Sequence, residues 1–192
     1  LSCKVDILDC DALRISDKKA VEEIEYLDPK LVCFVVYGQN PNSGTTSMIG
    51  AESLAKNLKD SSDKYKIIFV GSHVSALPME VLSKDFIDFI SINEGVTTLR
   101  QLIKTNFKIE ELKKVDGLGY KENNIPHLTK PSVIVKNLDI DLPGYSWDML
   151  PYKNNKLDLY RAHYWHTYFK EENRTPFASI YTSLGCQFKC NF

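Results

Sequence analysis

The run Leu31-Val32-Cys33-Phe34-Val35-Val36-Tyr37, closed by Gly38-Gln39-Asn40-Pro41-Asn42-Ser43-Gly44, decides how this sequence is read. An unbroken stretch of apolar, mostly β-branched and aromatic residues predicts a strand buried on both faces, as in parallel sheets covered by helices. The polar loop supplies turn residues. Behind it Ala51, Leu54, Ala55 and Leu58 fall at i, i+3, i+4 and i+7, one stripe of a helix.

The same alternation extends in both directions. Residues 5–8 form a short apolar strand ending at Asp9-Cys10-Asp11. Ser16 or Asp17 caps a helix that carries Ala20, Val21, Ile24 and Leu27 on one face and ends at Asp28-Pro29. Residues 66–70 are the next strand, Gly71-Ser72-His73 its loop, and a short helix starts near Pro78. Residues 86–92 predict a further strand, Asn93-Glu94-Gly95 a loop, and residues 97–105 a helix with Leu99, Leu102 and Ile103 inward. Strands alternating with helices of this length imply right-handed crossovers and a three-layer α/β fold. The expected class is a Rossmann-like, flavodoxin-like doubly wound parallel sheet. With a strand at its very start, the chain is expected to lack the first strand and helix of that sheet.

Beyond residue 107 the texture changes. Residues 117–121, the Asn123-Asn124 turn and residues 125–128 read as a hairpin, with residues 132–136 as a third strand. Residues 139–151, with two prolines and Gly144, read as a connector; residues 160–169 are dense in aromatics, and 178–182 form a new strand. The expected division is an α/β domain over 1–107, a hairpin extension over 108–138, a linker over 139–176 and the start of another domain over 177–192.

Composition narrows the function. The 192 residues are 43% hydrophobic and 26% charged, which fits a globular chain. With 24 basic and 25 acidic residues there is no electrostatic footprint for nonspecific nucleic-acid binding, and the longest apolar run is far too short to span a membrane. Five cysteines without a secretory signal fit a reducing compartment, so a cytoplasmic location is expected.

In open α/β sheets ligands bind beyond the carboxyl ends of the strands. The loops there offer Asp9 and Asp11, then Gly38, Asn40 and Ser43, then Gly71, Ser72 and His73, and finally Glu94 and Gly95. Glycine allows close backbone approach, and the others supply hydrogen bonds to a polar ligand; the same residues also serve any loop as turn formers and helix caps. His73 suits either role. The sequence has no Gly-x-Gly-x-x-Gly after its first strand and no Gly-Lys-Ser/Thr, which removes support for dinucleotide and P-loop chemistry. Gly71-Ser72-His73 also lacks the hydroxyl-and-lysine pattern of a response regulator. His163 and His166 have metal-ligand spacing but no companion ligands, which favours aromatic packing. Cys186 and Cys190, just after Gly185, can converge on one metal centre; zinc, iron–sulfur, a redox pair or coincidence all fit two cysteines.

Taken together these residues resemble the cobalamin-binding-domain radical S-adenosylmethionine enzymes. Ser183-Leu184-Gly185-Cys186-Gln187-Phe188-Lys189-Cys190-Asn191-Phe192 resembles the start of their cluster motif, which a cysteine immediately after Phe192 would complete. Gly71-Ser72-His73-Val74-Ser75 resembles their Gly-Gly-x-His-x-Thr segment, and Glu94-Gly95 their Gly-Glu-Gly-Glu segment. Val115-Asp116-Gly117-Leu118-Gly119-Tyr120 resembles their hairpin, and Leu142-Pro143 with Trp147-Asp148-Met149-Leu150 their interdomain linker. The sequence departs from the pattern at Ser72, which replaces the second glycine, and at Asn93 and Val96. It has no Asp-x-His-x-x-Gly, so the Asp9 loop offers no histidine to cobalt.

The resemblance implies an amino-terminal domain that holds cobalamin at its strand-end loops. It also implies a barrel with a 4Fe–4S cluster, of which Cys186 and Cys190 are ligands, shielded by Phe188 and Phe192. S-adenosylmethionine would bind the open iron, and its reductive cleavage would start radical chemistry, in many members a methylation. The chain would then be a fragment, inactive alone, whose partner is the remainder of its own barrel. The alternative is a non-catalytic flavodoxin-like small-molecule or cobalamin-binding module with an incidental or zinc-binding cysteine pair. A plain interaction domain would retain neither cofactor.

Overall fold

The computed structural model describes residues 3–180 apart from 39, 40, 94, 134, 143 and 154–156. The chain divides into two compact units, one spanning residues 16–134 and the other residues 3–15 with those from 135 onward.

The first unit is the expected α/β fold. Strands β1 (Leu31–Val36), β2 (Lys66–Gly71) and β3 (Phe89–Ser91) run parallel and side by side in chain order, and the hairpin β4 (Leu118–Glu122) and β5 (Ile125–Leu128) joins β3 antiparallel to complete a five-stranded sheet. The period-two alternation of strands sorts side chains onto two faces. On one, Ile68, Val70, Phe89, Leu118 and Tyr120 pack with Leu102 and Leu112, which come from α6 (Val96–Lys104) and α7 (Ile109–Leu112). On the other, Phe34 stacks on Phe69 at 4.8 Å beneath α3 (Pro41–Ser61), whose Leu54, Ala55 and Leu58 are buried. The helices α4 (Ser72–Ala76) and α5 (Pro78–Leu82) follow β2, each packing against the sheet. Helix α2 (Asp17–Leu27) lies against α3; Ser16 Oγ accepts from the Lys19 amide, and Asp17 accepts from Ser53 Oγ at 2.6 Å and Asn57 Nδ2 at 3.0 Å.

Several expectations are corrected. Residues 5–8 form no strand, and among the described residues no strand pairs with the outer edge of β1. A strand needs a partner edge to take its backbone hydrogen bonds, and an apolar run does not by itself supply one. Nor is β1 buried on both faces: Leu31 and Cys33 pack against the cluster that α6 and α7 cover, whereas Val35 is 66% exposed. Residues 86–88 precede the short β3 instead of belonging to it; Asp88 caps the sheet's end by accepting from the Ile67 amide at 2.9 Å and pairing with Lys59 and Lys66. Ser72-His73 opens a helical turn rather than a loop. The described residues among 132–136 and 178–182 are not strand.

The second unit is held by polar contacts more than by apolar burial. Cys10–Leu13 form the single-turn α1, and the later part is short 3-10 turns such as Asp158–Tyr160 and Tyr164–Thr167. Arg174 is buried at its centre: Nε donates to the Ala162 carbonyl at 2.7 Å, Nη1 to Asp158 at 2.5 Å, and the guanidinium lies 4.2 Å from the Tyr164 ring centroid. His163 stacks on Trp165 at 4.5 Å and His166 meets Phe177 at 5.3 Å, so both histidines pack against aromatic rings.

Candidate functional site

The site candidates of the first unit gather where β1, β2 and β3 end. Gly38 follows β1 and lies directly against the first turn of α3: a Cβ on it would stand 2.4 Å from Ser43 Cβ. Gly44 in that turn leaves room for Ser72 Oγ, which a Cβ would meet at 2.8 Å. Gly71 ends β2 beside Val36, and a Cβ there would stand 2.1 Å from the Val36 carbonyl oxygen. These glycines are therefore required by the chain's own packing, which brings the loops after β1 and β2 together.

The polar side chains line this junction. His73 Nδ1 lies 3.1 Å from Thr45 Oγ1, linking the start of α4 to the start of α3. Ser43 and Ser72 flank them. Ser75 Oγ donates to the Gly71 carbonyl at 3.0 Å and accepts from the Asn93 amide at 2.9 Å, so one hydroxyl ties the ends of β2 and β3. Asn93 and Gly95 both take left-handed φ, 65° and 75°, as the chain turns into α6. Beneath Gly95 the Ser91 hydroxyl is fully buried and, among the described residues, has no hydrogen-bond partner. Its Oγ stands 3.3 Å from where a Gly95 Cβ would be.

Asp9 and Asp11 belong to the second unit. Asp9 caps α1, accepting from the Ala12 amide at 3.0 Å with one oxygen and from the Tyr160 hydroxyl with the other. Burial, and the bond it gives to Asp9, push the Tyr160 phenol up. Asp11 sits exposed in the first turn of α1. Asn40, Glu94, Cys186 and Cys190 lie outside the described residues. Sequence reasoning missed Thr45 and Ser91. Thr45 is hidden in a run of small polar residues that reads as helix entry. Ser91 left a signal, a hydroxyl at the end of an apolar strand.

Comparison with known proteins follows the same line. The B12 binding domain family model matches residues 2–103. An uncharacterized methyltransferase of Pyrococcus horikoshii is 29% identical over 189 residues, a match covering 98% of this chain and 36% of the relative. This chain thus spans about a third of that relative's length. Among solved structures, the radical S-adenosylmethionine methyltransferase TsrM from Kitasatospora setae, with tryptophan substrate and a SAM analogue bound, superposes with a TM-score of 0.53 at 17% identity, over 69% of this chain and 25% of that one. The cobalamin-dependent S-adenosylmethionine radical enzyme OxsB, with aqua-cobalamin and S-adenosylmethionine bound, gives 0.51 at 15% identity, over 68% of this chain and 18% of that one. Both likenesses are of fold. The family model covers more than half of the sequence and includes the ends of all three parallel strands, and by that match the chain belongs to the B12 binding domain family.

Proposed function

We propose that this chain is the cobalamin-carrying part of a radical S-adenosylmethionine methyltransferase. In this reading cobalamin sits at the strand ends of the first unit, within reach of Gly38, Asn40, Ser43, Gly71, Ser72, His73, Glu94 and Gly95. Cys186 and Cys190 are the first two ligands of a 4Fe–4S cluster, and the remainder of the barrel is the partner. The cysteine usage that fits a reducing compartment puts the enzyme in the cytoplasm.

The observation that carries the reading is the donor set at the strand ends. Cobalamin presents amide side chains and a phosphodiester, and such a periphery calls for neutral hydrogen-bonding groups. The Ser43, Thr45 and Ser72 hydroxyls and the His73 imidazole are groups of that kind. The buried Ser91 hydroxyl, without a partner among the described residues, marks a second polar position at the same edge. When bound, the corrinoid would supply a transferable methyl group, and the protein's part is to hold it, orient it and keep water from it. The name of the Pyrococcus horikoshii relative supports methyl transfer as the reaction class.

Two measurements test the two halves separately. Incubation of the chain with hydroxocobalamin followed by gel filtration is expected to leave corrin absorbance with the protein; its absence would sink the cobalamin half. Anaerobic iron and sulfide reconstitution of the protein together with its barrel is expected to give a brown, oxygen-sensitive chromophore that Cys186→Ala or Cys190→Ala abolishes. An iron-free product would overturn the radical half and favour the binding module.

A further inference from the structure

Thr45, Thr46 and Ser47 are consecutive hydroxyl residues on the first turns of α3. Thr46 gives its hydroxyl to the Asn42 carbonyl and Ser47 to the Ser43 carbonyl, each at 2.9 Å. This backbonding along the helix is the ordinary fate of such side chains. Thr45 departs from it and meets His73 Nδ1 at 3.1 Å instead. The contact crosses from the loop after β1 to the turn after β2. It fixes the imidazole from one side, so that Nε2 is the ring atom left to offer a ligand. Among the described residues, neither His73, Thr45 nor Ser72 is paired with a carboxylate. A corner of hydroxyls around an imidazole N–H, with no carboxylate bonded to them among the described residues, suits an anionic oxygen, because a charged acceptor roughly doubles the strength of each bond.

We propose that His73 anchors the phosphodiester of the cobalamin nucleotide tail by donating from Nε2, and that Thr45 is its positioning residue. In this arrangement Thr45 donates to Nδ1 and so fixes the neutral tautomer with its proton on Nε2. Ser72, standing where the family pattern has glycine, adds a second donor to the same oxygens. The inference rests on the cobalamin reading above and deepens it, assigning one part of the ligand to one pair of side chains.

The test compares cobalamin with cobinamide, which has the same corrin ring but no nucleotide tail, by equilibrium dialysis against the 192-residue chain. The wild-type chain is expected to bind cobalamin more tightly than cobinamide. His73→Ala is expected to weaken cobalamin roughly ten- to a hundredfold while moving cobinamide by no more than about twofold. Thr45→Val is expected to weaken cobalamin by a smaller factor, roughly three- to tenfold, and Thr45→Ser to restore it. His73→Gln, whose amide N–H can reach the same oxygen, serves if the alanine variant fails to fold and is expected to keep most of the preference for cobalamin. Equal loss of both corrinoids on His73→Ala, or loss of neither, overturns the assignment. So does a wild-type chain that binds both equally, which would still leave the cobalamin reading standing. A wild-type chain that binds neither corrinoid overturns the cobalamin reading and the assignment together.

Discussion

Gly71 and Val36 end neighbouring strands in register, and a Cβ built on Gly71 falls 2.1 Å from the Val36 carbonyl oxygen. That approach sets how near the loops after β1 and β2 come to each other, and with it the distance between Thr45 and His73. Gly71→Ala must push the strands apart or twist the turn, an overpacking that costs about 1–3 kcal/mol. Gly50, in the exposed middle of α3, is the opposite case, since a Cβ there meets nothing within 4 Å. Gly50→Ala is expected to stabilise the chain by about 0.5–1 kcal/mol through lower chain entropy in the unfolded state. Urea unfolding of the two variants beside the wild type checks both signs.

Ser91 is expected to respond against the usual rule that truncation in a core destabilises. Its hydroxyl is buried and has no partner among the described residues, and an unmet polar group costs about 1–3 kcal/mol. Ser91→Ala removes that cost and little volume, so the ligand-free chain is expected to gain about 1 kcal/mol. A clear loss in the thermal midpoint would show that the hydroxyl has a partner in solution.

The thiols divide by burial. Cys3 is exposed, whereas burial pushes the Cys33 thiol up to about 12. Peptide mapping after brief iodoacetamide treatment is expected to find Cys3 alkylated well before Cys33. Between the ordinary thiol value of 9.0 and about 12 the folded chain keeps a proton that the unfolded chain releases. The folded state binds more protons there, so stability falls as pH rises through that window. Cys33→Ala is expected to reduce this alkaline loss, measured as the slope of unfolding free energy against pH.

Arg174 organises the second unit, and no other residue type reproduces its fork of bonds to Ala162 and Asp158. Arg174→Met is expected to speed limited chymotrypsin cleavage near Tyr160 and Tyr164 several-fold, and Arg174→Lys is expected not to restore protection. The guanidinium also holds the Asp158 carboxyl below its ordinary value. The contribution of that pair is therefore present above the ordinary carboxylate range and is lost as pH falls through the lowered value. Cleavage of the wild type in acid, using an acid-active protease, is expected to approach that of the variant.

Much of the fold was legible in residue order. The unbroken run at 31–37, the helix stripe of Ala51, Leu54, Ala55 and Leu58, and the Asn123-Asn124 turn each encode a local conformation. The structure has β1, α3 and the β4–β5 hairpin at those places. These patterns survive because periodicity and turn chemistry act within a few residues. The strand expected at 5–8 does not form, and the run itself could not show this, since a strand exists only where a partner edge takes its hydrogen bonds.

The site divides in the same way. Gly71, Ser72, His73 and Gly95 could be nominated from sequence because loops after strands carry function. Asp9, nominated with them, has both carboxylate oxygens engaged by Ala12 and Tyr160 in the second unit. The bond between Thr45 and His73, across 28 residues, follows from the register of β1 on β2 and from the close pass of Gly71 by Val36. By itself the sequence determined which segments become strands and helices and which loops are polar. Only the tertiary structure decided which side chains meet, because hydrogen bonds between distant residues depend on how the layers pack and no local pattern records that.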